Sequence, residues 1–152
     1  MLIKTHLSIT LFLILILISS VENKILFVVV AILATFLADI DSQYSTLGKK
    51  KVFRILQFFI RHRTVFHSFI FLFLLTALFV FFLPVIALPF FLGYGSHLIA
   101  DSFTMRGIRP FYPLKSLAYG KLRTGSKTET SIFLTFLTLD IFLFFMNISV
   151  FN

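Results

Sequence analysis

The stretch Arg61–Ser68 reads Arg-His-Arg-Thr-Val-Phe-His-Ser and sets two imidazoles and two guanidinium groups at the mouth of a long apolar run. Imidazole is the commonest protein metal ligand, and a guanidinium grips phosphate or carboxylate with two parallel hydrogen bonds. On one helix His62 and His67 would point about 140° away from each other. At least one of them must therefore lie on the approach to a helix, or the two serve different atoms; either way the site draws on several segments. His97 and Asp101 are four apart and share a helix face, so a single turn can offer an imidazole and a carboxylate to one ion. Asp39 and Asp41 are two apart and cannot share a face. One is expected to end an element as a ligand, while the other caps or turns the chain beyond it. His6 stands at the start of the first apolar run.

The elements that position these groups belong to a membrane protein. Hydrophobic residues make up 59% of the chain and charged residues 13%, with a mean hydropathy of +1.02; a soluble domain is about half apolar and about a quarter charged. Twenty-three Phe among 152 residues exceed what one small soluble core can bury. The absence of Cys excludes disulfides, thiolate metal sites and a Cys nucleophile. No repeat or low-complexity linker divides the chain, so residues 1–152 form one integral membrane domain.

The apolar segments are Thr5–Val21, Ile25–Asp41, Val65–Leu83, Val85–Asp101 and Ser131–Val150. They predict an all-α, polytopic helix bundle of about five spans. A bilayer core needs about 20 helical residues, so several spans should be short or tilted, with Pro84 marking a turn and Pro89 a kink. Lys4, the first apolar run and Ser19-Ser20 have the outline of a secretory signal, but the cleavage pattern is poor and four spans follow.

Counting spans places His6, Asp39, Asp41, His62, His67, His97 and Asp101 at one membrane face. That is every histidine, and every aspartate except Asp140. The same face holds each of the 14 basic residues except Lys24. By the positive-inside rule it is cytoplasmic, with the N-terminus inside and the C-terminus external. The net charge of +8 follows from this asymmetry, so no direct nucleic-acid partner is expected. Between spans two and three, Lys49–Ile60 keeps apolar residues at helical spacing (Val52, Phe53, Leu56, Phe59, Ile60) with Lys49, Lys50 and Arg54 at polar positions. It predicts a basic interfacial helix on the membrane lipids, able to anchor the chain or draw in an anionic lipid or phosphorylated substrate. The 104–130 loop is basic and broken by Gly and Pro, and could cover the site. Asp140 falls mid-span, where a carboxylate must face protein; it is expected to bond between helices.

Thr5-His6, Ala38-Asp39-Ile40-Asp41-Ser42, His62-Arg63-x-x-x-His67-Ser68, Gly95-Ser96-His97-x-x-x-Asp101 and Thr104-x-x-Gly107 with Pro113 resemble the pattern of the YdjM family over about residues 5–115. Ala38 and Phe66 depart from its usual Pro and Thr. That family is described as inner-membrane, metal-dependent hydrolases, one member being called LexA-binding. The histidine–aspartate order is more distantly similar to zinc-dependent phospholipase C and the P1-type nucleases, which implies phosphoester hydrolysis at one or two divalent ions, zinc foremost. His97 and Asp101 would hold one metal, and His62 or His67, Asp39 and His6 would complete a second or shared set. Asp41 is the candidate general base. Arg63, and after it Arg106 or Arg109, would neutralise charge developing on the substrate. Ser42, Ser68 and Ser96 neighbour ligands but form no Ser-His-Asp arrangement.

Two other classes compete with a hydrolase: a non-catalytic metal-binding membrane scaffold or regulator, and a metal-ion transporter. A transporter should carry its acids and histidines on along the spans, and Asp140 alone does so. The charge asymmetry makes a direct prediction. Reporter tags at the N-terminus and within 104–130 should be protected in the cytoplasm, and a tag after Asn152 should be external. A 104–130 loop found outside would overturn the orientation.

Overall fold

The computed structural model of the chain describes residues 1–39 and 65–148. Among these residues the fold is all-helical, without strands. Helix α1, Ile3–Leu17, is prolonged by a 3-10 turn, Ile18–Ser20. After the polar turn at Glu22-Asn23 comes α2, Lys24–Leu37. Helix α3, Phe69–Phe82, starts at Ser68, whose Oγ accepts a hydrogen bond from the Phe71 amide at 3.1 Å. Helix α4, Pro84–Ser102, has Pro84 in its first turn, where a missing N–H is harmless, and runs on through Pro89. Helix α5, Lys127–Met146, is capped by Ser126.

Three of these helices are long and apolar enough to cross a membrane: α1 with its 3-10 turn, α4 and α5. Helices α2 and α3 are apolar but have 14 residues each. The observed ends shift the expected segments. Helix α1 begins early enough to place His6 within it, α2 stops before Asp39, and α3 begins just after His67. The expected interfacial helix Lys49–Ile60 lies outside the described residues.

Helix α4 is the centre of the bundle. Helices α2 and α3 pack along it, α1 touches both α2 and α4, and α5 lies along α1. One core cluster joins Ala34, Ala38, Leu72, Phe90, Tyr94 and Leu98, and a second joins Ile14, Ile18, Phe27 and Ala31. The outward faces carry large apolar side chains such as Phe73, Leu74, Phe81, Phe142 and Phe145, as a lipid-facing surface does.

In lipid, helices associate by close packing of small residues and by hydrogen bonds between them. Both devices occur where α1, α2 and α4 meet. Gly93 lies so near α2 that a Cβ there would stand 2.0 Å from the Ala31 carbonyl oxygen. The Thr10 hydroxyl is 2.9 Å from that of Thr35 and 3.0 Å from that of Ser96. Thr35 and Ser96 in turn donate to carbonyls at Ala31 and Gly93.

The connection from α4 to α5 folds back over the same end of the bundle. Ile108 exchanges both backbone hydrogen bonds with Ala118, and Met105 and Gly120 are tied to Leu122 and Thr104. Ile108 enters the core, and the Pro110 carbonyl accepts from the Phe69 amide at 2.8 Å. Gly107 turns this loop at φ +60°, where a side chain would also strike Ala118. Arg106 and Arg109 are exposed.

Gly93→Ala separates packing from propensity. In an open helix Ala is favoured over Gly by about 1 kcal/mol. Here the close approach to Ala31 should reverse the sign, with a loss of about 1–3 kcal/mol or more from overpacking. Thermal unfolding in detergent should show a lower Tm; an unchanged or raised Tm would remove the tight α2–α4 contact.

Candidate metal centre

Five of the residues singled out by type and spacing meet at one end of the bundle. His6 comes from the second turn of α1, Asp39 from just beyond α2, His67 from the turn before α3, and His97 and Asp101 from successive turns of α4. Each is held by its own local structure. The Tyr94 hydroxyl donates to the Phe66 carbonyl at 2.6 Å and fixes the turn carrying His67. Thr104 bonds to the Asp101 carbonyl and closes the end of α4. His6, His67, His97 and Asp101 are fully buried, while Asp39 is 20% exposed and connects the cluster to its surroundings.

The rings of His6 and His97 stack at 3.9 Å, and those of His67 and His97 meet edge to face at 5.7 Å. His6 Nε2 is 3.3 Å from Asp101 Oδ1. Asp39 Oδ1 is 3.7 Å from Nε2 of both His67 and His97, and His67 Nε2 is 3.9 Å from Asp101 Oδ2. The longer of these separations exceed a hydrogen bond. Four ligand atoms at about 2.0–2.1 Å from one ion would stand roughly 3.3 Å apart. The cluster therefore has the spacing of groups gathered around a cation.

Two groups of candidate ligands come together, His6–His97–Asp101 and Asp39–His67–His97, with every ligand atom of a group within 4.8 Å of the others. They share His97. Among the described residues Nδ1 of His6 and both ring nitrogens of His97 are buried without a hydrogen-bond partner, and the 3.3 Å approach of His6 Nε2 to Asp101 lacks the geometry of a hydrogen bond. A buried polar nitrogen without a partner is costly, and a divalent ion would satisfy one nitrogen of each ring. The donor set of imidazole and carboxylate suits zinc and similar transition ions. The residues thus fit the metal that the family resemblance implies.

Asp101 Oδ1 also receives the Met1 amino group at 2.5 Å.

Asp41, His62 and Arg63 lie outside the described residues. Asp140 stands apart from the cluster; it is buried in α5 and accepts a hydrogen bond from Ser8 of α1 at 3.2 Å. The polar side chains near it in sequence are occupied locally. Thr135 and Thr138 bond to their own helix, and Asn147 reaches the Leu15 carbonyl.

Glu129 is the residue that sequence reasoning missed. It is buried to 1% exposure, and its carboxylate accepts from the Leu2 amide at 2.6 Å, the Gly125 amide at 2.5 Å and the Thr5 hydroxyl at 3.2 Å. It thus clamps the start of α1, one residue from His6, to the start of α5. The signal was present as Ser126-x-x-Glu129, a capping box at the head of an apolar run.

Long apolar helices around a buried histidine–aspartate cluster define a helical membrane protein with a candidate metal site. The chain belongs to the YdjM inner membrane protein family, whose pattern it matches over residues 1–151. No curated protein and no solved structure matches it.

The Glu129 clamp generates a local prediction. In Glu129→Gln the side-chain amide would face backbone donors, and hydrogen bonds to a charged group, worth about 1.5–3 kcal/mol, would be lost. Hydrogen exchange of the Leu2–His6 amides should accelerate about tenfold or more, with the α3 amides unaffected. Unchanged exchange at Leu2–His6 would show that the clamp does not hold α1.

Proposed function

We propose that this protein is a membrane-embedded, metal-dependent hydrolase acting on a phosphoester at its cytoplasmic face. The observation that carries this reading is the convergence of His6, Asp39, His67, His97 and Asp101 on one spot, with both ring nitrogens of His97 buried and without a hydrogen-bond partner among the described residues. A bound divalent ion, zinc foremost, supplies a water of near-neutral pKa and polarises the phosphoryl oxygen. His6, His97 and Asp101 would hold one ion. Asp39 and His67, with His97 shared and His62 in reach by sequence, would complete the same or a second site. Asp41 is assigned as the base that takes the proton from water, and Arg63 as the group that offsets charge on the phosphoryl oxygens.

Five spans are the topology we assign. Fourteen residues reach about 21 Å, short of the hydrocarbon core of about 30 Å, so α2 and α3 alone do not cross it. Their cytoplasmic ends, however, finish at the buried cluster, and the protein around the cluster solvates the backbone there. The N-terminus and the site would face the cytoplasm and the C-terminus the outside, with Lys49–Ile60 lying on anionic lipid. A transport pathway has less support, because the deeper carboxylate Asp140 is tied to Ser8.

Two aspartates test the assignment. Asp101→Asn keeps the volume and removes the charge that attracts the cation. Changes beyond the ligands themselves typically cost about 10–100-fold in metal affinity, and loss of a ligand carboxylate should cost at least as much. Metal and phosphoesterase activity should therefore fall together, whereas Asp140→Asn should keep its metal. Metal stoichiometry by mass spectrometry, on variants of matched helical content, decides the matter. Full occupancy in Asp101→Asn, or loss confined to Asp140→Asn, would sink the assignment. A metal-loaded wild type inert towards every phosphoester would leave a binding protein without catalysis.

A further inference from the structure

We propose that the gap between α1, α4 and α5 is a slot for one acyl chain of an anionic phospholipid, whose phosphate sits at the mouth beside the histidine–aspartate cluster. This deepens, and rests on, the reading of that cluster as a hydrolytic site, and it names a membrane lipid as the substrate class.

The gap exists because α5 lies along α1 and hardly touches α4. Its volume is about 400 Å³, within the about 300–1,000 Å³ of small-molecule pockets. Ile9 and Leu13 line it from α1, Ile99 and Phe103 from the α4 side, and Ile132 and Phe136 from α5. Ser96 also borders it, but its hydroxyl is engaged by Thr10 and the Gly93 carbonyl. Ordered water needs about 2–4 polar partners, and these walls supply none; hydrocarbon suits them.

Along α4 the lining runs from Ser96 to Phe103, a rise of about 10 Å, enough for the upper part of an acyl chain within a leaflet of about 15 Å. At the mouth, Leu122 lines both this slot and an adjoining cavity of about 350 Å³ bordered by Arg106, Arg123 and Thr124. Two guanidinium groups beside a dry slot match a lipid phosphate. The slot also adjoins the cluster directly. Met1 and Ala100 form part of its wall; Met1 touches Asp101, and Ala100 precedes it in the chain.

The test uses the full chain in phosphatidylcholine vesicles containing phosphatidic acid with a photoreactive diazirine in mid-chain. After illumination, labelled residues are mapped by peptide mass spectrometry. Labelling should saturate with probe and concentrate on Ile9, Leu13, Ile99 and Phe136. A phosphatidylcholine probe with the same tail should label these positions more weakly. Leu13→Trp, which fills the slot, should cut labelling about tenfold with bound metal unchanged. Arg106→Gln combined with Arg123→Gln should raise the half-saturating probe fraction. Labelling that rises linearly and spreads evenly to Leu74 and Phe81 of α3 would mark ordinary surrounding lipid and overturn the slot. This wild-type pattern decides the question even if Leu13→Trp fails to fold. Equal labelling by the choline lipid would overturn the anionic headgroup. Because labelling needs no turnover, saturable labelling without hydrolysis would fail the hydrolase reading alone. Hydrolysis of a water-soluble phosphoester with unsaturable labelling would fail the slot alone.

Discussion

Imidazoles and carboxylates inside an apolar bundle must be compensated, and this requirement governs the end of the molecule where the helices meet. Taking a charge from water into a medium of low dielectric costs several kcal/mol even after relaxation, on the order of the stability of a whole domain. His6, Asp39, His67, His97 and Asp101 come from four places in the chain, so their mutual compensation also fixes how α1, α2, α3 and α4 are assembled. The Asp101 carboxylate illustrates the point: it faces the Met1 amino group, His6 and His67 together. Removing any one of these partners leaves the others facing a different field.

The polar groups away from the cluster serve its placement. The Thr10–Thr35–Ser96 contacts lie one helical turn below His6 and directly before His97, joining the three helices that carry most of the ligand candidates. The close approach of Gly93 to Ala31 sets the spacing between α2 and α4, and hence the distance from Asp39 to His97. Glu129 ties α1 to α5 at the rim, and Ser8 and Asp140 tie them again deeper in the bundle. The outer faces of α3 and α5 carry apolar residues with no such ties.

Much of this was legible in the sequence because membrane topology is a strong constraint. Hydropathy marked every helix that the structure describes, and counting spans brought His6, Asp39, His67, His97 and Asp101 to one face before any distance was known. Spacing alone could not say how they divide into groups. His97 belongs to two groups because its ring lies between His6 and His67, a fact of packing and not of period. Helix ends were also out of reach: α2 stops at Leu37 and α3 starts after His67, because the chain leaves the helix to bring its ligands inward. Glu129 was hidden for a different reason. Its Ser126-x-x-Glu129 pattern indicates a helix start, and nothing local reveals that Leu2 and Thr5 will share the carboxylate.

Hydrolysing an amphiphile imposes two demands that a single opening serves poorly. Its tail should stay out of water, while the attacking water and the released polar product need a wet route. The two sides of this cluster differ in that sense. Towards α5 the walls are hydrocarbon and continuous with the bundle's lipid-facing surface. Towards the end of α2 the partly exposed Asp39 carries the cluster out of its buried surroundings. On the proposed reading, a buried cluster with one dry flank and one partly exposed flank would receive a lipid sideways and exchange water and ions on the other side. It need not open the bundle to do either.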